Sequence, residues 1–374
     1  MTGLFDPKIW GAVPFHFWSA VLFTFGCMVG SFLNVCIHRM PRGMSVVSPP
    51  SHCPQCNYSI PWFLNIPLLT WLSLRGKCAN CKTPISSRYF LVELLTGVAF
   101  LGCWLAFGKS SAALALMYCL VLAGFIVATF IDFEHFIIPD EVTIGGMVAG
   151  ALCSFVVPAL HQVPGAPVPP APKALLLSFV GMAVGAGLVY GVVRIGKLLF
   201  GRQHIDLPPE TRIIFTETSV VLPDQTIPFE DLFYRKTDVV QLEAKSVELI
   251  DRCYRKVLVR LMPEQLFIGD ESINPESVHQ MEVVTDRITL PREAMGFGDV
   301  KFMGAIGAFL GWQAAVFSLL VSSVLGAAVG VTLILLKRQE MSSRLPYGPY
   351  IAAAAVIWIF AGHRLMDYWF NRML

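Results

Sequence analysis

The sequence predicts an all-α polytopic membrane protein of seven to eight transmembrane helices, carrying a polar cysteine-bearing loop and a small soluble β-rich insert. Three observations lead there. The chain of 374 residues is 55% hydrophobic and only 14% charged, where a soluble domain has about 25% charged residues. Apolar runs recur at 17–37, 89–108, 112–131, 142–160, 174–196, 302–315, 315–336 and 347–363, most of them near the ~20 residues that cross a bilayer. Between 201 and 293 the character inverts, with 17 acidic and 11 basic residues. The net charge of +2 is too small to point to nucleic acid. Residues 1–11 are not basic and no small-residue cleavage site follows the first run, so nothing there resembles a cleavable signal.

The loops orient the spans. Residues 38–88 carry six Lys/Arg (Arg39, Arg42, Arg75, Lys77, Lys82, Arg88) and no acid, which places them in the cytoplasm by the positive-inside rule. The 109–111 and 162–173 connections then fall outside, while 132–141 and 197–301 return to the cytoplasmic side. Lys337, Arg338 and Arg344 join them if 302–336 makes two passes, which favours eight spans over seven. In the insert, Ile213-Ile-Phe-Thr216, Val239-Val-Gln-Leu-Glu-Ala244, Lys256-Val-Leu-Val-Arg-Leu261 and Met281-Glu-Val-Val284 alternate loosely at period two and read as short strands.

Four of the ten cysteines stand as Cys53-Pro-Gln-Cys56 and Cys78-Ala-Asn-Cys81, with 21 residues between the pairs. Two such knuckles in one loop suit a tetrahedral thiolate site for Zn²⁺, each pair giving two ligands from a tight turn. A cytoplasmic loop is reducing, which argues against the alternative of two disulfides. Four sulfurs leave no open coordination position, so the expected metal is structural. Cys27, Cys36, Cys103, Cys119 and Cys153 lie in apolar runs and read as packing residues.

The first 200 residues hold six acidic side chains, and Asp132, Glu134, Asp140 and Glu141 are four of them. Asp132 ends one apolar run, and Asp299, in Gly296-Phe-Gly298-Asp299-Val-Lys301, precedes another. Carboxylates at the edge of hydrocarbon are costly and mark functional sites. The loop charges alone bring both aspartates to one membrane face, where two carboxylates sharing a proton can serve as acid and base. Taken singly, each also reads as a helix cap. Glu134, Asp140 and Glu141 read as polar residues of a short loop. Glu93 is the only acid between Asp6 and Asp132. It suits an amine or a cationic sulfonium, or a structural pair with Arg39 or Arg88. Asn34, His38 and Arg39 end the first span at the same face, where His38 and Arg39 also read as interfacial anchors.

Taken in order, these motifs resemble the bacterial prepilin peptidases, bifunctional membrane enzymes that mature type IV pilins and type II secretion pseudopilins. The resemblance rests on Gly30-Ser31-Phe32-Leu33-Asn34-Val35 with His38-Arg39-Met-Pro41, the two cysteine knuckles, and Ser87-Arg88-Tyr89 with Glu93. It continues through Asp132 with Ile138-Pro139-Asp140, the Gly296–Lys301 motif, and Pro346-Tyr-Gly348-Pro349. It implies a multi-pass protein of the bacterial inner membrane whose active site faces the cytoplasm. It implies that Asp132 and Asp299 are the catalytic pair that cuts a prepilin or pseudopilin leader after Gly. It also implies that residues 1–108 N-methylate the new terminus with S-adenosylmethionine, near Glu93, Asn34, His38 and Arg39. The peptidase part would comprise 109–200 and 294–374, and the 201–293 insert departs from the family's usual short loop. No Gly-x-Gly-x-x-Gly follows a strand, so nothing but the resemblance points to that methyl donor. A peptidase without methylation, or a non-enzymatic zinc-knuckle scaffold, are the alternatives.

Overall fold

A computed structural model describes residues 13–200, 202–223, 226–233, 238–249, 252–278, 280–291, 296–336, 345–362, 364–366 and 368. Lys337, Arg338 and Arg344, used above to count spans, lie outside the described residues. The chain divides into two units, one of Met1–Tyr190 with Gly296–Leu374 and one of Gly191–Met295.

The first unit is helical. Its elements are α1 (Phe15–Arg39), α2 (Ser87–Phe107), α3 (Ala112–His135), α4 (Asp140–Val156), α5 (Ala171–Phe200, shared with the second unit), α6 (Phe297–Leu335) and α7 (Gly348–Ile357). Among the described residues, five helices are long and apolar enough to cross a membrane: Phe15–Arg42, Ser87–Phe107, Ala112–His135, Ala171–Leu198 and Phe297–Leu335. Gly348–Gly362 is a shorter apolar helix. Their outer faces expose Phe17, Met28, Phe32, Leu91, Leu116, Leu320 and Val324. So much apolar surface is unstable against water but natural against hydrocarbon. This is a membrane protein.

Lipid tails do not drive helices together by the hydrophobic effect, so small residues and close backbone contact must do so. A Cβ on Gly30 of α1 would lie 2.7 Å from the Cα of Glu93 in α2, and one on Gly26 would lie 2.9 Å from the Cα of Gly97. That spacing of four residues sets the face on which α1 meets α2, and it brings Asn34 opposite Tyr89. A Cβ on Gly181 of α5 would fall 2.1 Å from the carbonyl oxygen of Gly307, so at this point α5 and α6 meet backbone to backbone.

The sequence divides 302–336 near residue 315, whereas the break falls earlier. Gly311, at φ 84° and ψ 174°, interrupts α6 in a region of backbone space open essentially only to glycine. The hydroxyls of Ser178 (2.8 Å) and Ser154 (3.3 Å) donate to the carbonyl oxygen of Ala308, one turn before the break. Hydrocarbon offers no water to satisfy that carbonyl, so neighbouring helices do.

The second unit is an eight-stranded antiparallel sheet in the order β3-β2-β1-β8-β4-β5-β6-β7. Its strands are β1 (Arg202–Thr216), β2 (Ser219–Val221), β3 (Thr226–Pro228), β4 (Val240–Glu248), β5 (Cys253–Leu261), β6 (Leu266–Ile268), β7 (Glu271–Ile273) and β8 (Gln280–Pro291). Alternation sets the register: Val240, Leu242 and Ala244 of β4 turn inward with Ile213, Val259, Val283 and Ile288. Pairing of β1 with β8 shifts between Asp206 and Thr211. Pro208 and Pro209 stand in that irregularity, where a missing N–H breaks no ladder bond.

Candidate active site and four-thiol cluster

Asp132 lies in the last turn of α3, which stops because Phe136 adopts a left-handed conformation (φ 55°) and returns its N–H to the Asp132 carbonyl oxygen at 3.0 Å. Pro139 then opens α4, with Asp140 and Glu141 in its first turn, where acids suit the helix dipole. Asp299 sits in the first turn of α6, its N–H donating to the Gly296 carbonyl oxygen at 3.2 Å. Both aspartates are buried. One Asp132 carboxylate oxygen (Oδ2) accepts the backbone N–H of Gly348, the first residue of α7, at 2.8 Å. Ile138 joins the two sites. Its Cβ lies 3.5 Å from where a Gly298 Cβ would stand, and its Cδ1 lies 3.0 Å from where a Gly348 Cβ would stand. Ile138 thus borders both Gly298, the residue before Asp299, and Gly348, whose N–H holds Asp132. Two carboxyls in one low-dielectric site cannot both ionise freely, an arrangement that suits acid–base chemistry.

The neighbouring acids are engaged elsewhere. Glu134 pairs with Arg88, and Asp140 accepts from Lys301 Nζ at 2.6 Å while that ammonium lies over the Phe297 ring. Sequence reasoning did not single out Gly348 or Ile138 as site residues. The signals were present in Pro346-Tyr347-Gly348-Pro349 and Ile138-Pro139-Asp140, but neither shows its partner. Tyr347 is itself held, its hydroxyl lying 2.9 Å from Ser322 Oγ and 3.0 Å from Ser323 Oγ in α6.

Glu93 and Asn34 both lie buried along the α1–α2 contact. Glu93 Oε2 accepts the Leu68 N–H at 2.8 Å. Asn34 Nδ2 donates to the carbonyl oxygens of Tyr89 (3.0 Å) and Gly30 (3.3 Å), leaving its buried Oδ1 without a hydrogen-bond partner. Arg39 is not paired with Glu93: its two terminal nitrogens donate to the carbonyl oxygens of Ser45 (2.9 Å) and Pro49 (2.7 Å). His38 is exposed. Of the four residues grouped by sequence, the structure thus brings two together in one buried place and leaves two at the loop junction.

The four thiols of Cys53, Cys56, Cys78 and Cys81 all lie within 4.8 Å of one another. The two knuckles repeat one geometry. Cys53 N–H donates to the Tyr58 carbonyl oxygen and Cys78 N–H to that of Thr83; Asn57 and Lys82 return to Cys53 and Cys78 from positive φ (54° and 62°). Cys53 and Cys81 sulfurs are 3.8 Å apart, close to the ~3.8 Å edge of a tetrahedron with 2.3 Å Zn–S bonds. The Thr83 hydroxyl lowers Cys81 to about 6, and the N–H groups of Cys81 and Asn80 lower Cys78. Despite the N–H groups of Cys56 and Gln55, burial and the Cys56 and Cys78 thiols raise Cys53. Four thiols of mixed acidity crowded on two matching turns fit a metal ion.

The fold and site define a class, the polytopic membrane proteins with two buried carboxylates at helix ends and a four-thiol loop. The family model described as Bacterial Peptidase A24 N-terminal domain matches residues 24–107, and that described as Type IV leader peptidase family matches 281–331, which includes Asp299. The prepilin leader peptidase/N-methyltransferase of Myxococcus xanthus is 47% identical over 138 residues, spanning 37% of this chain and 40% of the relative. That of Aeromonas hydrophila is 27% identical over 97% of each chain, and that of Burkholderia pseudomallei (strain 1026b) 24% identical over 94% of this chain and 88% of the relative. No solved structure matches the chain. Both family models and these relatives are those of leader peptidases, and it is to the bacterial prepilin peptidase family that the chain is similar.

Proposed function

We propose that this chain cuts the leader of type IV prepilins or pseudopilins after Gly and N-methylates the terminus so exposed. The observation that carries the reading is the convergence of Asp132 and Asp299 from two helices on one buried place, with the Gly348 N–H aimed at Asp132. One carboxylate takes a proton from water as it attacks the scissile carbonyl, and the other gives a proton to the leaving amine. The Gly348 N–H, at the positive end of α7, holds Asp132 in place through the cycle. Gly296 and Gly298 leave the Asp299 backbone open to an extended substrate.

Residues 1–108 form the methyl-transfer half. S-adenosylmethionine, when bound, supplies the methyl group. The acceptor-only pair of Glu93 carboxylate and orphaned Asn34 Oδ1 fits a cationic ligand, and these two residues would hold it, with His38 and Arg39 at the rim. Glu93 accepts hydrogen bonds from the substrate amine and orients it. Zinc at Cys53, Cys56, Cys78 and Cys81 is structural, as four thiolates leave no position for chemistry. Residues 109–200 and 294–374 carry the peptidase, and 201–293 is an auxiliary cytoplasmic domain. Eight passes through the bacterial inner membrane put both aspartates at the cytoplasmic face. The test is to incubate the reconstituted full chain with a prepilin peptide and S-adenosylmethionine and to read product mass. A product starting after Gly and heavier by one methyl is expected; intact peptide refutes the reading.

A further inference from the structure

Between the two knuckles the chain makes an excursion that returns to the membrane helices. Its middle is a turn at Trp62–Leu64 followed by a short helix at Leu69–Ser73. The inner side is anchored on α2. Leu68 donates its N–H to Glu93, the Trp71 ring packs on Phe90 at 5.2 Å between centroids, and Trp71 covers Gly76. The outer side is apolar and bare: Trp62 is 82% exposed and Leu69 65%, with Phe63, Ile66 and Leu72 also exposed.

The anchor sets the depth. Helix α2 has 21 residues, or about 31 Å at 1.5 Å per residue, which matches the ~30 Å hydrocarbon core with nothing to spare. Glu93 lies six residues from its start, about 9 Å along the axis. A segment pinned to Phe90 and Glu93 therefore lies at the level of the first turns of a helix that needs its whole length to cross. Helices lying in the interface bury their apolar faces about 5–10 Å into the headgroup and acyl boundary. The flanks agree, since 38–88 contains no acid and Arg75 and Lys77, just beyond the apolar stretch, are exposed.

We propose that residues 61–73 form an interfacial membrane segment, with Trp62, Phe63, Ile66, Leu69 and Leu72 seated among lipid acyl chains and Arg75 and Lys77 at anionic headgroups. The four-thiol cluster then has a mechanical task, closing the base of this excursion so that its apolar edge is held against the bilayer. The inference stands on anchoring, exposure and charge, and it does not need the enzymatic reading.

The test uses the full chain reconstituted in vesicles of phosphatidylcholine alone or mixed with phosphatidylglycerol, with bromine on the acyl chains. Trp62→Phe alters an exposed residue, so the emission difference between parent and variant isolates Trp62. That difference should be lost to bromine quenching and unaffected by aqueous acrylamide. Brominated phosphatidylglycerol should quench more than brominated phosphatidylcholine, and Arg75→Gln with Lys77→Gln should abolish that preference. Quenching by acrylamide but not by bromine overturns the proposal, as does protection that needs an added prepilin peptide, which would make a peptide the occupant. Equal quenching by both lipids in the parent chain overturns the anionic assignment. Leu69→Glu with Leu72→Glu, both exposed, should expose Trp62 to acrylamide; unchanged bromine quenching there counts against the seating.

Discussion

Gly348→Ala isolates the contact that the sequence concealed. The added Cβ would stand 2.8 Å from Asp132 Oδ2, 3.0 Å from Ile138 Cδ1 and 3.3 Å from Asp132 Cγ. The backbone of Gly348 is not among the positive-φ positions, so an alanine there meets no conformational strain. What must yield is the end of the Asp132 side chain, so the damage falls on the chemistry before it falls on the fold. Displacing that carboxylate forfeits a hydrogen bond to a charged group, worth about 1.5–3 kcal/mol. At about 1.4 kcal/mol per tenfold this is about 10–150-fold in rate, and a misplacement near 1 Å alone costs about 10²-fold. We expect kcat for leader cleavage to drop by about 10²-fold, with KM, membrane insertion and metal content close to those of the parent chain. The assay is the initial rate of prepilin cleavage in proteoliposomes, beside a thermal unfolding scan. A kcat near that of the parent refutes the clasp between Gly348 and Asp132. Tyr347→Phe, which removes the hydroxyl held by Ser322 and Ser323, should produce a milder loss of the same kind.

Asp132→Asn, Asp299→Asn and the double variant should be almost equally inactive in cleavage, because each group is worth about 10²–10⁴-fold and members of one unit are not additive; a single variant that cuts at near the parental rate refutes the pairing. Glu93→Gln should spare cleavage while lowering methylation of a peptide supplied already cut, read by product mass, and equal loss of both activities would refute a separate site. Metal content should fall on acidification with a midpoint below about 6, the value to which the Thr83 hydroxyl lowers the free Cys81 thiol, since a proton must displace the bound metal. Thr83→Val should move that midpoint to higher pH, and an unmoved midpoint removes the Thr83 hydroxyl from the explanation. Replacing 201–293 with a Gly/Ser linker should leave membrane insertion and metal content intact, because long surface insertions cost little; loss of metal from that variant would refute it.

Composition and local pattern carried much of this protein. A bilayer demands runs of about 20 apolar residues, so Ala112–His135 could be read from its hydropathy alone. The alternation in Val240–Ala244 is a local consequence of the β pleat, and β4 lies there. Two Cys-x-x-Cys pairs place four sulfurs on two tight turns, and the cluster of Cys53, Cys56, Cys78 and Cys81 follows from spacing. Loop charges led to the expectation that Asp132 and Asp299 lie at one membrane face. Other features depend on what lies opposite, and no local period reports that. Gly348 meets Asp132 across 216 positions of sequence. The break in α6 falls at Gly311, where Ser154 and Ser178 supply the hydrogen bonds to Ala308. Arg88 chooses Glu134, Lys301 chooses Asp140, and Glu93 holds the Leu68 backbone where the sequence offered Arg39 or Arg88. The sequence by itself marked the apolar runs and the candidate side chains, because hydropathy and residue type are local properties. Tertiary structure alone decided which carboxylate faces which donor, because backbones packed so closely that a Cβ on the glycine would stand under 3 Å from its neighbour admit one arrangement and exclude its neighbours.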